Sequence, residues 1–466
     1  MRRCSTLFLV FVLLCAAREG RAQPDPSLSI TQTYRRAADE IIHAALRDSA
    51  AFDRLAYMAD TFGPRLSGSQ NLENAIDWIL EEMARDGLEN VRGEEVMVPH
   101  WVRGQESLTL LSPREATLRM LGLGGSVGTP PEGITAEVLV VGSFDELEAR
   151  RDEAAGKIVL FNVPFTSYGQ TVQYRSVGAI RAARAGAVAS LVRSVGPVSL
   201  STPHTGAMRY DDRVPRIPHA AVTVEDAMMM QRMQDRAQTI RVRLFMEAQT
   251  LPDATSRNVV AEIVGREKPE EIVVLGGHID SWDVGQGAMD DGGGTVAAWE
   301  AVRLLNALGL HPRRTVRVVL WTNEENGLRG GVAYRDAHRD EIDNHVLAIE
   351  TDSGVFKPRG FGFAGSDDAY ALVQEVGKLL EGIGAGTVTR GGGGADIRPI
   401  MREGVPGMGL SVDGSKYFWY HHTPADTIDK LDPHEFNLCV ATLAVMAYVV
   451  ADMPERLPRS EGSNSN

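Results

Sequence analysis

The stretch Ile272-Val273-Val274-Leu275-Gly276-Gly277-His278-Ile279-Asp280 decides the fold of this chain. Four consecutive apolar residues read as a strand buried on both faces. The strand ends in two glycines, then in residues that can bind a metal or a proton. The same texture returns twice downstream: Val316–Trp321 runs into Glu324-Glu325, and Val346–Ile349 runs into Glu350-Thr351-Asp352. Helical patterns lie between these runs. Alternation of this kind predicts an α/β domain with a mainly parallel mixed sheet flanked by helices. Ligands of such sheets gather beyond the carboxyl ends of the strands, which is where these acids and the histidine fall.

Two more segments join the set. Gly287-Ala288-Met289-Asp290-Asp291-Gly292-Gly293-Gly294 is a loop leading to a helix near Thr295. His421-His422-Thr423-Pro424-Ala425-Asp426 follows the apolar run Met408–Val412. Imidazole and carboxylate ligands suit zinc, and a pair of zinc ions needs a carboxylate shared between them. A single acid after a strand is more often a helix cap or a solvated loop residue. The joint occurrence of so many at the strand ends of one domain is what singles them out.

Read in order, these segments give His-x-Asp, Gly-x-x-Asp-Asp-Gly, Glu-Glu, Glu-x-Asp-Ser-Gly and His-Thr-x-x-Asp. That order resembles the co-catalytic zinc aminopeptidase and glutamate carboxypeptidase family. The resemblance implies the zinc-peptidase fold and two zinc ions per chain. His278 and Asp352 would hold one ion, Glu325 and His422 the other, and Asp290 would bridge them. Glu324 would be the general base, and Asp280 would orient the His278 ring. The implied activity is hydrolysis of dipeptides or short peptides at a free terminus, of the carboxypeptidase or dipeptidase type, by water activated on the metal pair. An aminopeptidase on the same site is the nearest alternative, and a catalytically silent binding ectodomain is another. The partners implied are a peptide substrate and, as an assembly, a homodimer.

Some positions stay open at this level. Asp291 reads equally well as a cap of the helix that follows. Asp426 either orients His422 or caps a turn. The family often carries Tyr directly before the ligand His; here His421 stands there and Tyr420 one further back, so either could serve as oxyanion donor. Gly391–Gly394 lacks the Lys-Ser/Thr of a phosphate loop and reads as pocket wall or surface loop.

The rest of the chain sets the context. Arg2 and Arg3 precede the apolar stretch Thr6–Ala17, and Gly20-Arg21-Ala22 supplies small residues for cleavage. Residues 1–22 therefore read as a signal peptide, which predicts a secreted or periplasmic protein. Its removal takes Cys4 and Cys15, leaving Cys439 and no intramolecular disulfide. Residues 23–110 read as a helical part of the peptidase domain. Residues 111–252 change to short β-rich runs with one helix over 177–185; they resemble a protease-associated insert, carry no His or carboxylate cluster, and read as a place without chemistry. Residues 253–456 form the catalytic domain, and 457–466 read as a disordered tail. No run after the leader reads as a membrane span. The net charge of −14 and the absence of a basic patch argue against nucleic acid as a partner.

Overall fold

The computed structural model describes residues 29–459. The predicted signal peptide lies outside the described residues. An eight-stranded mixed sheet forms the centre of the catalytic domain. Lys268–His278, Arg314–Trp321, His345–Glu350 and Gly407–Val412 run parallel to one another in its middle. Every residue of Arg314–Trp321 and His345–Glu350 is buried, as continuous apolar runs predict for central strands. Antiparallel pairs flank this core on both sides. One is a long ribbon of Glu89–Val102 paired with Gln249–Ile263, and the other is built on Pro358–Ala364. The outermost strand on that second side, Thr387–Arg390, is parallel to its neighbour Pro358–Ala364.

Helices cover the faces. Ile30–Ala45 starts at a Ser29 capping box with Gln32. It is followed by a second helix, Ala50–Phe62, within the part read as helical. Asp432 caps Pro433–Asp452 through the N–H groups of His434 and Glu435, and Pro433 costs nothing where no intrahelical partner exists. Among the described residues this is the one helix long and apolar enough to cross a membrane, so the expectation that no such run exists needs correcting. Its span is 83% buried against the sheet and neighbouring helices, so it is the central helix of the core.

The second eight-stranded sheet spans Glu106–Met246. Three adjacent pairs in it are parallel, and the helices Tyr168–Arg184 and Val224–Asp235 pack beside them. The insert is thus β-rich with helices of its own. Residues 249–252, placed in the insert by the sequence, begin the ribbon strand of the catalytic sheet. The tail also differs: Leu457 is buried and Arg459 pairs with Asp343, so packing extends through residue 459.

Candidate metal centre

Strand ends and one irregular turn supply the cluster. His278 ends its strand, with Gly277 before it because a Cβ there would meet Asp291 Oδ2 at 2.3 Å. The His278 Nδ1 lies 3.0 Å from the main-chain carbonyl of Asp280. A carbonyl only accepts, so Nδ1 carries a proton, and in the neutral ring Nε2 presents its lone pair. That Nε2 faces Asp290 Oδ1 at 3.4 Å and Asp352 Oδ1 at 3.5 Å. On the other side of Asp290, its Oδ2 lies 3.4 Å from His422 Nε2, which is 3.0 Å from Glu325 Oε2. His422 Nδ1 in turn faces the carbonyl of Thr205 at 3.3 Å.

With the rings neutral, each of the Nε2–carboxylate contacts sets a lone pair against a lone pair. They repel unless a proton or a cation lies between. Two ligand atoms on one tetrahedral zinc, with bonds of about 2.0–2.2 Å, are separated by roughly 3.3–3.6 Å, and the spacings here run from 3.0 to 3.5 Å. Asp290 Oδ2 and Glu325 Oε1 are buried and accept no hydrogen bond within the protein, a costly state for carboxylates without a cation. The electrostatics agree. Burial opposes a charged His278 ring, yet Asp290 and Asp352 raise its pKa well above the ordinary value. Burial and then repulsion from Asp290 push Glu325 well up. Two groups could each hold a metal ion, His278-Asp290-Asp352 and Asp290-His421-His422, and they share Asp290.

The neighbouring acids take other work. Asp291 accepts from the N–H groups of His278 and Gly294, at 3.1 and 3.0 Å, so it caps a helix and ties strand to turn. Asp280 accepts from the N–H groups of Glu324 and Glu325, at 3.0 and 3.3 Å. Its carboxylate is 3.7 Å from His278 Nδ1, so its carbonyl, rather than its side chain, receives the ring. Asp426 neither orients His422 nor caps a local turn. It accepts from Met289 N and Asp290 N at 2.7 and 3.2 Å, which holds the shared carboxylate in place. Glu324 lines the cavity beside the cluster, and burial with the carboxylates of Asp352 and Asp280 lifts it to about 8.

Arg65 anchors the loop between His278 and Asp290. Its buried guanidinium donates to the carbonyls of Ile279, Gly63, Gln286 and Gly287 at 2.8–2.9 Å. Arg65→Met strands those carbonyls. At about 1–3 kcal/mol for a buried polar group left unmade, the expected loss of stability is about 3–5 kcal/mol. Urea unfolding measures it, and a loss below 1 kcal/mol would mean that the loop stands without this clamp.

The cluster opens on a cavity of 830 Å³. Gly391–Gly394 form part of its wall. His421 lines it and Tyr420 does not; Tyr420 instead lies beneath Lys430 and beside Trp419. Tyr417, one helical turn before His421, also lines the cavity and was not singled out in the sequence. Burial, then Asp290 and Asp352, keep its phenol protonated. The insert contributes Tyr168 and Arg175, which overturns its reading as a place without chemistry. No periodicity pointed to them, since both residues lie more than 100 positions from the nearest cluster residue.

Comparison with known proteins agrees. The model of peptidase family M28 matches residues 258–447, which contain all the cluster residues. Carboxypeptidase Q from Mus musculus is 49% identical over 98% of this chain and 100% of its own length. The Homo sapiens protein is 51% identical over 91% of this chain and 90% of its own. The crystal structure of a peptidase M28 precursor from Shewanella amazonensis SB2B superposes with a TM-score of 0.89 at 35% identity, covering 92% of this chain and all of that one. A zinc aminopeptidase from Bacillus subtilis shares the fold, with a TM-score of 0.67 at 21% identity over 87% and 96% of the two chains. This chain belongs to peptidase family M28, as a zinc-dependent exopeptidase homologous to carboxypeptidase Q.

Proposed function

We propose that the protein is an exported peptidase with two zinc ions per chain, which cleaves dipeptides or short peptides next to a free C-terminal carboxylate. The likeness to carboxypeptidase Q supports the terminus, and one observation carries it. Among the described residues Arg175 is the single Arg or Lys lining the cavity, in a wall that holds the carboxylates of Asp290, Glu324, Glu325, Glu350 and Asp352. Its Nη2 donates to Tyr168 Oη at 2.8 Å and its Nη1 to Thr205 O at 3.2 Å, with His422 Nδ1 3.3 Å from the same Nη1, while its buried Nε–H has no acceptor. A fixed guanidinium with N–H capacity left over is a receptor for a carboxylate.

The site residues divide the work. His278, Asp290, Asp352, Glu325 and His422 would hold the zinc ions, which would supply Lewis acidity to the scissile carbonyl and the attacking water. Glu324 takes the proton from the attacking water and passes it to the leaving amine. Tyr417, protonated and on the cavity wall, donates to the oxygen that gains charge. Arg175 holds the substrate carboxylate, which sets the bond to be cut. Export rests on residues 1–22, with the mature chain starting at Gln23.

The test compares an unblocked dipeptide, its N-acetyl form and its C-amide. A hydrogen bond to a charged group is worth about 1.5–3 kcal/mol, so C-amidation should lower kcat/KM by roughly 10- to 150-fold. Arg175→Met should erase that preference while leaving the amide's own rate near its wild-type value. If N-acetylation alone abolishes cleavage and amidation changes nothing, the enzyme is an aminopeptidase.

A further inference from the structure

The insert does more than roof the cavity. Thr205 is fully buried where the insert meets the loop that carries His422. It bonds to His422 in both directions. Its N–H donates to the carbonyl of His422 at 2.9 Å, and its carbonyl faces His422 Nδ1 at 3.3 Å. Thr205 is itself pinned. Its hydroxyl donates to the carbonyl of Gly122 at 2.9 Å and accepts from Arg103 Nη2 at 3.3 Å. Arg103 reaches back to the catalytic domain, where its Nε and Nη2 donate to both oxygens of Asp283 at 2.8 and 2.6 Å. Next to Asp283, Trp282 is buried in the core of the insert, against Gly124, where a Cβ would meet its ring at 2.0 Å. The catalytic domain thus puts an indole into the insert, and the insert puts a carbonyl behind a cluster imidazole.

We propose that this clasp, Thr205 with Arg103 and Asp283, is a positioning device for His422, so that docking of the insert sets the affinity of one metal position and leaves the other alone. The two cluster imidazoles are held differently. His278 is oriented by the carbonyl of Asp280, two residues away on its own strand end. His422 Nδ1 instead faces two groups of the insert, each at 3.3 Å and more than 200 residues away in the sequence: the carbonyl of Thr205 and Nη1 of Arg175, which itself donates to that carbonyl. His422 also sits at φ 59°, a region that a residue with a side chain holds only when its surroundings impose it. A partner that holds a ligand imidazole in place typically affects metal affinity by 10- to 100-fold. The affinity of the Glu325-His422 position is therefore linked to insert docking, and that of the His278-Asp352 position is not.

The inference rests on the two-metal reading, and one titration separates the two. Zinc binding to the full-length mature chain is measured from the apo form with a competing chelator, for wild type, Thr205→Val and Thr205→Ser. Wild type should show two sites. Thr205→Val keeps the shape and removes the hydroxyl that pins the residue, so one site should weaken by about 10- to 100-fold and the other should keep its affinity. Thr205→Ser should restore both. Thermal melts at saturating zinc establish that the variants are folded. Two unchanged sites in Thr205→Val would overturn the clasp, and so would equal weakening of both. Fewer than two sites in wild type would instead sink the two-metal reading.

Discussion

Glu324→Gln should lower kcat by about 10²- to 10⁴-fold, the usual contribution of a positioned acid–base group, with zinc content unchanged. The reason lies in the pair Glu324-Glu325. Asp280 accepts the N–H groups of both residues, which fixes the backbone, and the two side chains then part. Glu325 turns to His422 Nε2 at 3.0 Å, while Glu324 faces the cavity. Glutamine has the same shape and cannot take a proton. The pH profile gives a second readout. A base must be ionised, so kcat/KM rises as pH rises through the Glu324 pKa. Burial and nearby carboxylates raise that pKa, and the charge of bound zinc opposes them. The acid limb that belongs to Glu324 should vanish in the variant. Loss of zinc together with loss of rate would assign Glu324 to metal binding instead.

Asp290→Asn should cost both metal positions at once. Asp290 is the one carboxylate that faces His278 through Oδ1 and His422 through Oδ2. An amide carries no charge for either ion. Zinc per chain should fall from near two to below one, and thermal stability should fall with it. Ligand linkage stabilises a fold by about 4 kcal/mol per site when free ligand is a thousandfold above Kd. Excess chelator reverses the order. Without a cation, repulsion between Asp290 and Glu325 is one of the forces that raise the latter's pKa, so the apo variant should be at least as stable as apo wild type. A variant that keeps two zincs would show that Asp290 is not shared. One that melts lower even in chelator would be a folding defect.

Local pattern made much of this legible. The buried strands were readable because a parallel strand covered on both faces needs a continuous apolar run. The helix caps at Ser69 and Asp432 are local in the same way, each a side chain acting within three residues of itself. His278, Asp290, Glu324, Glu325, Asp352 and His422 were readable as a group because strand ends of one sheet converge. The residues that were not readable act across distance. Asp426 serves Met289 and Asp290 from 136 residues or more away. Tyr417 gains its place from a short helical turn that also carries His421 to the cavity. Arg175 and Thr205 come from the insert, where nothing local marks them as chemical.

The sequence by itself determined the α/β class, the order of the cluster residues along the chain and the kind of ion that they suit, because ligand chemistry and strand periodicity are properties of short segments. Only the tertiary structure decided which lone pairs face each other, that Asp291 caps a helix while Asp290 faces both imidazoles, and that the insert supplies both the cation of the cavity and the carbonyl behind His422. Those are facts of direction and proximity between distant segments, set by how the two sheets pack, and no local pattern of residues encodes them.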